Sequence, residues 1–253
     1  MTLALRETLV IKLSGKMAAR MAELVPQIKE ARKGRHVIVV HGGQEQLSAL
    51  LQKMGKQTRF IEGRRVTDAE TLALAKMAFG KLNLDWVEAL ENEGVSAVGL
   101  AGAYGAAIAG KAAEERGLEG DVIKVDNELF RELMEKYVIV IPPLIYDKKN
   151  KTILNADADD IATQVAKSLG AKLMIIGELK GLLGKDGRVI ARITTRELGK
   201  LIEEKVVTGG MIPKMRACIE ARLPKVWILD GSERAVILRA LAGEKIGTVI
   251  VGG

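Results

Sequence analysis

Short runs of Val, Ile and Leu alternate with amphipathic stretches along the whole chain, and many of the runs end at a glycine turn. Residues 8–13, 35–40, 97–100, 122–125, 137–141, 172–176, 226–229 and 248–251 read as strands. They are short, apolar and rich in β-branched residues. Residues 17–31, 45–54, 69–90, 127–136, 161–169, 195–203 and 235–242 carry apolar side chains at helical spacing. Asp147 to Asn150 reads as a hairpin turn leading to Ile153 and Leu154. Continuous apolar strands interleaved with helices argue for an α/β fold, a mainly parallel sheet covered on both faces. Such sheets bind ligands outside the carboxyl ends of their strands. Gly15, His41, Gly102, Gly177 and Asp230 therefore mark the functional edge.

Hydrophobic residues make up 48% of the 253, enough for one large domain or two lobes. A lobe boundary is expected near Gly170. The lone cysteine, Cys218, excludes an intramolecular disulfide, favours a reducing, cytoplasmic setting and reads as a small core residue. No membrane span is expected: the longest apolar run, 138–145, holds two prolines and falls far short of the roughly 18 residues a span requires. No signal peptide is evident. The net charge of +7 is dispersed. It suits either a solvated surface of a heat-adapted protein or an anionic substrate or acidic partner. Nucleic acid is disfavoured, because no basic stripe carries interleaved aromatics.

Two stretches carry chemistry. In residues 207–214, two glycines precede Pro213 and Lys214 at the start of a helical run. Backbone N–H groups there form an anion site. A cation at that end opposes the helix dipole, which favours a functional reason for Lys214. Residues 10–16 are a strand running into a glycine turn with Lys12 and Lys16. A charge in the last turn of a buried strand is uncommon. Residues 155–160 place Asn155, Asp157, Asp159 and Asp160 before a helix, more acid than a cap requires. Their repulsion would be relieved by lysine or a bound cation. His41 reads equally as a packing residue or a direct participant, Arg65 as surface or functional, and Asn155 as a turn brace or a ligand contact. There is no Walker-type loop and no Gly-x-Gly-x-x-Gly on the first βα turn. The helix 69–90 is apolar all round, so it needs burial on more than one side, which a subunit interface would supply.

Taken in order, residues 11–15 (Ile-Lys-Leu-Ser-Gly), 40–43 (Val-His-Gly-Gly), 63–68 (Gly-Arg-Arg-Val-Thr-Asp), 99–102, 155–159, 209–214 and 247–248 form a set that resembles the amino acid kinase family. The resemblance implies a three-layer αβα sandwich of two lobes. Residues 1–170 would bind the acyl acceptor and dimerise, and residues 171–253 would bind ATP. It places catalytic roles on Lys12, Lys214 and Asp159. Asp159, rather than Asp157, stands at the family's spacing of ten positions before Leu169. Substrate contacts fall on Gly42, Gly43, Arg65 and Asn155, and nucleotide contacts on Gly15, Gly177, Glu178, Gly181, Gly209, Gly210 and Met211. The implied cofactors are ATP and Mg²⁺, with no protein metal site. Departures stand at Ser14, Gln44, Tyr104, Gly177, Glu178, Ser232 and Glu233.

The activity implied is phosphorylation of the side-chain carboxylate of N-acetyl-L-glutamate, in arginine biosynthesis. That carboxylate is already ionised at neutral pH, so no general base is needed. One alternative is a kinase of aminoadipate or glutamate bound to a small acidic carrier protein. The basic charge and Asp157 favour it, and the short 61–65 segment opposes it. Another is a non-catalytic, ligand-binding module of the same fold, which the departures at Tyr104 and Glu178 favour. Only about seven residues precede the first strand. The resemblance then implies a homodimer through the helix 69–90, insensitive to arginine.

Overall fold

The structure, a computed structural model, describes residues 6–209 and 211–252. In chain order, β1 (Glu7–Leu13) passes through a 3-10 turn (Gly15–Arg20) into α1 (Met21–Arg32). Then come β2 (Arg35–His41), α2 (Gln44–Lys53), the short hairpin of β3 (Phe60–Ile61) and β4 (Arg64–Arg65), and α3 (Ala69–Asn92). Next are β5 (Ala97–Gly99), β6 (Ile108–Ala112), β7 (Glu119–Val125), α4 (Asn127–Lys136), β8 (Val138–Ile141), β9 (Leu144–Asp147) and β10 (Thr152–Ala156). The chain continues with α5 (Ala158–Leu169), β11 (Lys172–Gly177), β12 (Arg192–Thr194), α6 (Thr195–Glu203), α7 (Met211–Ala221), β13 (Lys225–Asp230), α8 (Val236–Leu241) and β14 (Thr248–Val251).

Eight strands form the central sheet in the order β12-β14-β13-β11-β1-β2-β8-β5. All neighbours pair in parallel except β13 with β14. β1 is the switch point: the chain leaves it towards β2 and later returns beside it as β11. Leu13 stands opposite both His41 and Ile176, so three strand ends are level there. Strand alternation divides the core between the two faces. Leu9, Ile11 and Leu13 cluster with α1, α3 and α8, while Val10 clusters with α4, α5, α6 and α7. Helix, sheet and helix thus make three layers. A third apolar cluster joins Leu47 and Leu51 of α2 to Leu72, Ala75 and Phe79 of α3.

The structure adds a second sheet that the apolar pattern does not reveal. β10, β7, β6 and β9 pair in a closed ring of mixed direction. β6 is hard to read from sequence because Ile108 is its only β-branched residue. Three helix starts also differ from the sequence reading. The stretch after Gly15 is a 3-10 turn before α1 begins at Met21, and α7 begins at Met211. α5 begins a turn early because Asp157 caps it, its Oδ1 accepting from the amides of Asp159 at 2.8 Å and Asp160 at 3.2 Å. Asp68 caps α3, accepting from the Thr71 amide at 2.7 Å. Among the described residues, no helix is long and apolar enough to cross a membrane.

Candidate active site

β1 parity puts Lys12 on the same face as Val10, under the first turn of α5, with only 7% of its surface exposed. Its Nζ lies 2.8 Å from Oδ1 of Asp159. Lys214, in the first turn of α7, places its Nζ 2.9 Å from Oδ2 of the same carboxylate. Burial pushes the Asp159 carboxyl up, but Lys12 and Lys214 outweigh it and hold the group below the usual carboxylate range. Burial likewise pushes Lys214 down, and Asp159 followed by Asp157 more than reverses it.

The β1 and β2 turns pack backbone against backbone. The Gly42 amide donates to Leu13 O at 2.8 Å. A Cβ on Gly42 would lie 2.9 Å from the Gly15 nitrogen, and one on Gly43 would lie 2.5 Å from the Phe79 ring. Only glycine permits this approach. His41 is buried, with Nδ1 2.7 Å from the Gly42 carbonyl. A carbonyl can only accept, so Nδ1 carries the proton and Nε2 accepts from Asn83 Nδ2 at 3.2 Å. Burial lowers the His41 pKa to about 4, which keeps the ring neutral. It braces the Gly42 peptide.

Lys12, Gly15, Gly42, Gly43, Asp159, Glu178 and Lys214 all line one cavity of 240 Å³. Gly209 and Met211 line a larger one of 1140 Å³, which shares Asp157, Asp159 and Lys214 with the first. Gly210 lies outside the described residues. Gly177 ends β11 and its carbonyl accepts from the Gly231 amide at 2.7 Å. Gly181 packs against Thr248, whose Oγ1 would stand 2.7 Å from a Cβ there. Gly177, Gly181, Arg65 and Asn155 line neither cavity.

Arg65 is 1% exposed, so the surface reading of this residue is excluded. Its Nε donates to Gln44 Oε1 at 3.0 Å, its Nη2 to Ser48 Oγ at 2.7 Å, and its guanidinium sits 4.7 Å over the Phe60 ring. Asn155 Nδ2 donates to Thr67 Oγ1 at 3.2 Å, and Thr67 in turn donates to the Arg65 carbonyl at 2.9 Å. Arg65 Nη1 and Asn155 Oδ1 remain buried without partners. Buried polar atoms of this kind are ordinarily met by an ordered water or by a ligand.

Sequence reasoning missed Gln44 and Thr67 as the braces of this pair. The departure at Gln44 was the available signal: where the family pattern has glycine, a side chain here meets Arg65. It also missed a charged network beside the larger cavity. Arg64 and Arg116 both pair with Glu119 and with Asp121 there. Among the described residues, no three His, Cys, Asp or Glu side chains are grouped to hold a metal.

A three-layer αβα sandwich, with two lysines converging on one aspartate at its switch point, is the frame of a ligand-binding α/β protein. Residues 7–222 match the model of the Amino acid kinase family, and the chain belongs to that family. It is 38% identical to an acetylglutamate kinase of Methanococcus vannielii, across 86% of this chain and 81% of that one. It is 31% identical to the acetylglutamate kinase of a Dehalococcoides mccartyi strain, across 100% of this chain and 97% of that one. A crystal structure of a Streptococcus mutans protein, 27% identical, superposes with a TM-score of 0.83 over 97% of this chain and 99% of its own.

Proposed function

We propose that this chain transfers the γ-phosphoryl group of ATP to the side-chain carboxylate of N-acetyl-L-glutamate, a step of arginine biosynthesis. The observation that carries the reading is the pair of contacts from Lys12 and Lys214 to Asp159 at the switch point, in a chain similar to acetylglutamate kinases over most of its length. A carboxylate oxygen bonds to the γ-phosphorus as the bond from that phosphorus to the β–γ bridging oxygen breaks. The electron pair leaves with ADP, and no proton moves. The difficulty is electrostatic, an anion approaching a polyanion. Lys12 screens the attacking side and Lys214 the leaving side, while Asp159 keeps both in place. The amides of Gly15 and Gly43 hold the phosphoryl oxygens in line. Magnesium would come as the nucleotide's own counter-ion and neutralise phosphate charge, since the described carboxylates form no cage for it.

Arg65 and Asn155 suit the acceptor. The free Nη1 is a donor for an α-carboxylate and the free Oδ1 an acceptor for an amide N–H. Gly42 and Gly43 complete that side. Gly177, Glu178, Gly181, Gly209, Gly210 and Met211 would belong to the nucleotide side, so residues 1–170 and 171–253 divide the two reactants. We place the protein in the cytoplasm, where the unpaired thiol of Cys218 stays reduced, and we take it to be a homodimer. α3 exposes Met77 and Leu84 on one face, an apolar stripe suited to a second copy. A monomer in sedimentation would remove the dimer.

The test is an assay of the purified protein with MgATP and free N-acetyl-L-glutamate, with hydroxylamine trapping the acyl phosphate. Trapped product is expected. Product only from carrier-bound aminoadipate or glutamate, or nucleotide binding without turnover on any acceptor, would overturn the reading.

A further inference from the structure

The ionic inventory of the smaller cavity does not suit a polyanion as it stands. Three lysines, Lys12, Lys16 and Lys214, face four carboxylates, Glu45, Asp157, Asp159 and Glu178. One net negative charge is left where phosphates must enter. Lys12 and Lys214 are committed to Asp159. Lys16 is not. It stands one residue beyond Gly15, on the 3-10 turn after β1, and its Nζ lies 2.5 Å from Glu178 and 3.7 Å from Glu45. It therefore bridges the turn after β11 and the first turn of α2, across the carboxyl end of β1.

These pairs differ physically from the Asp159 centre. The side chains of Lys16, Glu45 and Glu178 are 49%, 50% and 59% exposed. Exposed pairs of this kind are weak and exchange partners readily. A second observation marks the same spot as a ligand position. Ser14, between Lys12 and Lys16 on the turn, also lines the cavity, and its Oγ is buried with no hydrogen-bond partner. It sits against Gly177, beside Glu178. A hydroxyl without a partner next to a loosely held ammonium is a site for an oxyanion.

We infer that Lys16 is a third phosphate-binding cation, and that Glu178 is its resting counter-ion, displaced when a nucleoside triphosphate enters. The inference rests on the kinase reading above and changes one role within it. Glu178 competes with the nucleotide rather than holding it. The ion pair holds Lys16 over the β1 turn until a nucleotide enters and releases it to the incoming chain of phosphates. Nucleotide affinity is thereby set by an exchange between two anions for one ammonium group.

The experiment is calorimetric titration of the full chain with the magnesium complex of a non-hydrolysable ATP analogue, for the unaltered protein, Lys16→Ala, Glu178→Gln and the double variant. Lys16→Ala is expected to weaken binding by about tenfold or more, the size of a lost charge-assisted hydrogen bond. Glu178→Gln is expected to tighten it about threefold, and only while Lys16 is present. Both side chains are half exposed, and matched thermal unfolding curves keep the comparison clean. Unchanged affinity in Lys16→Ala, or tightening by Glu178→Gln that persists in the double variant, overturns the inference alone. No binding by the unaltered protein overturns the kinase reading with it.

Discussion

Asp159 and Glu119 are both buried carboxylates with two cationic neighbours, yet the fold treats their charge in opposite ways. At Asp159 the lysines prevail over burial and the carboxyl is lowered. At Glu119 burial prevails over Arg116 and Arg64, and the carboxyl is raised. The neighbours explain the difference. Arg64 and Arg116 divide their attraction with Asp121, Arg116 also reaches Glu115, and the Asp121 charge repels Glu119. The lysines at Asp159 face no such division in their own contacts. The Glu119 network ties the β3–β4 hairpin to β7 at the wall of the larger cavity, each arginine shared among several carboxylates. The Asp159 centre opens onto both cavities, and its two lysines share that one carboxylate.

The largest effect that tests this contrast is on rate. Asp159→Asn should lower kcat by about a thousandfold, as loss of preorganised charge does, with the far-UV circular dichroism unchanged. A loss smaller than tenfold would erase the distinction between the two centres. The next effect is on stability. Arg116→Leu leaves the buried Glu119 with Arg64 alone, shared with Asp121, and should cost about 3 kcal/mol in urea unfolding. Its kcat should stay within tenfold, and a collapse of kcat at full stability would make the network catalytic.

The smallest effect is the one that sharpens the contrast most. Glu119→Gln should change stability by no more than about 1 kcal/mol, because the fold already disfavours the charge it removes. The pH dependence follows from the two directions. Asp159 is lowered, so its contribution is present above the unfolded carboxylate pKa and is lost as pH falls through the folded one. Glu119 is raised, so its contribution is full below the unfolded pKa and is lost as pH rises through the folded one. On acidification the stability gap between the unaltered chain and Asp159→Asn should therefore close, while the gap to Glu119→Gln should open. His41, which titrates near pH 4 in the fold, is common to all three proteins and cancels. Gaps that move the same way would refute the assigned environments.

Much of the scaffold was legible because burial on both faces writes itself as unbroken apolar runs. The central strands β1, β2, β8, β11 and β13 all carry that mark. The strand at 122–125 and the hairpin around 147–150 were legible, but their closure into a ring was not, since Ala, Gly and Lys in β6 give no period to read. Lys12 and Lys214 stood out as charges placed against local preference. Lys16 and Glu178 did not pair on paper, because the contact depends on β1 lying beside β11.

The sequence by itself determined that Lys12 shares a face with Val10, since strand alternation admits no other answer. It also determined that a helix with three acids at its start follows β10. Which acid does what was decided only by the tertiary structure. Asp157 caps the helix, Asp159 takes the two lysines, and Asp160 accepts from the Val122 amide at 3.1 Å. Successive residues of a helix point about 100° apart. Each carboxylate therefore meets a different neighbour, and that neighbour is set by what the rest of the chain has packed there.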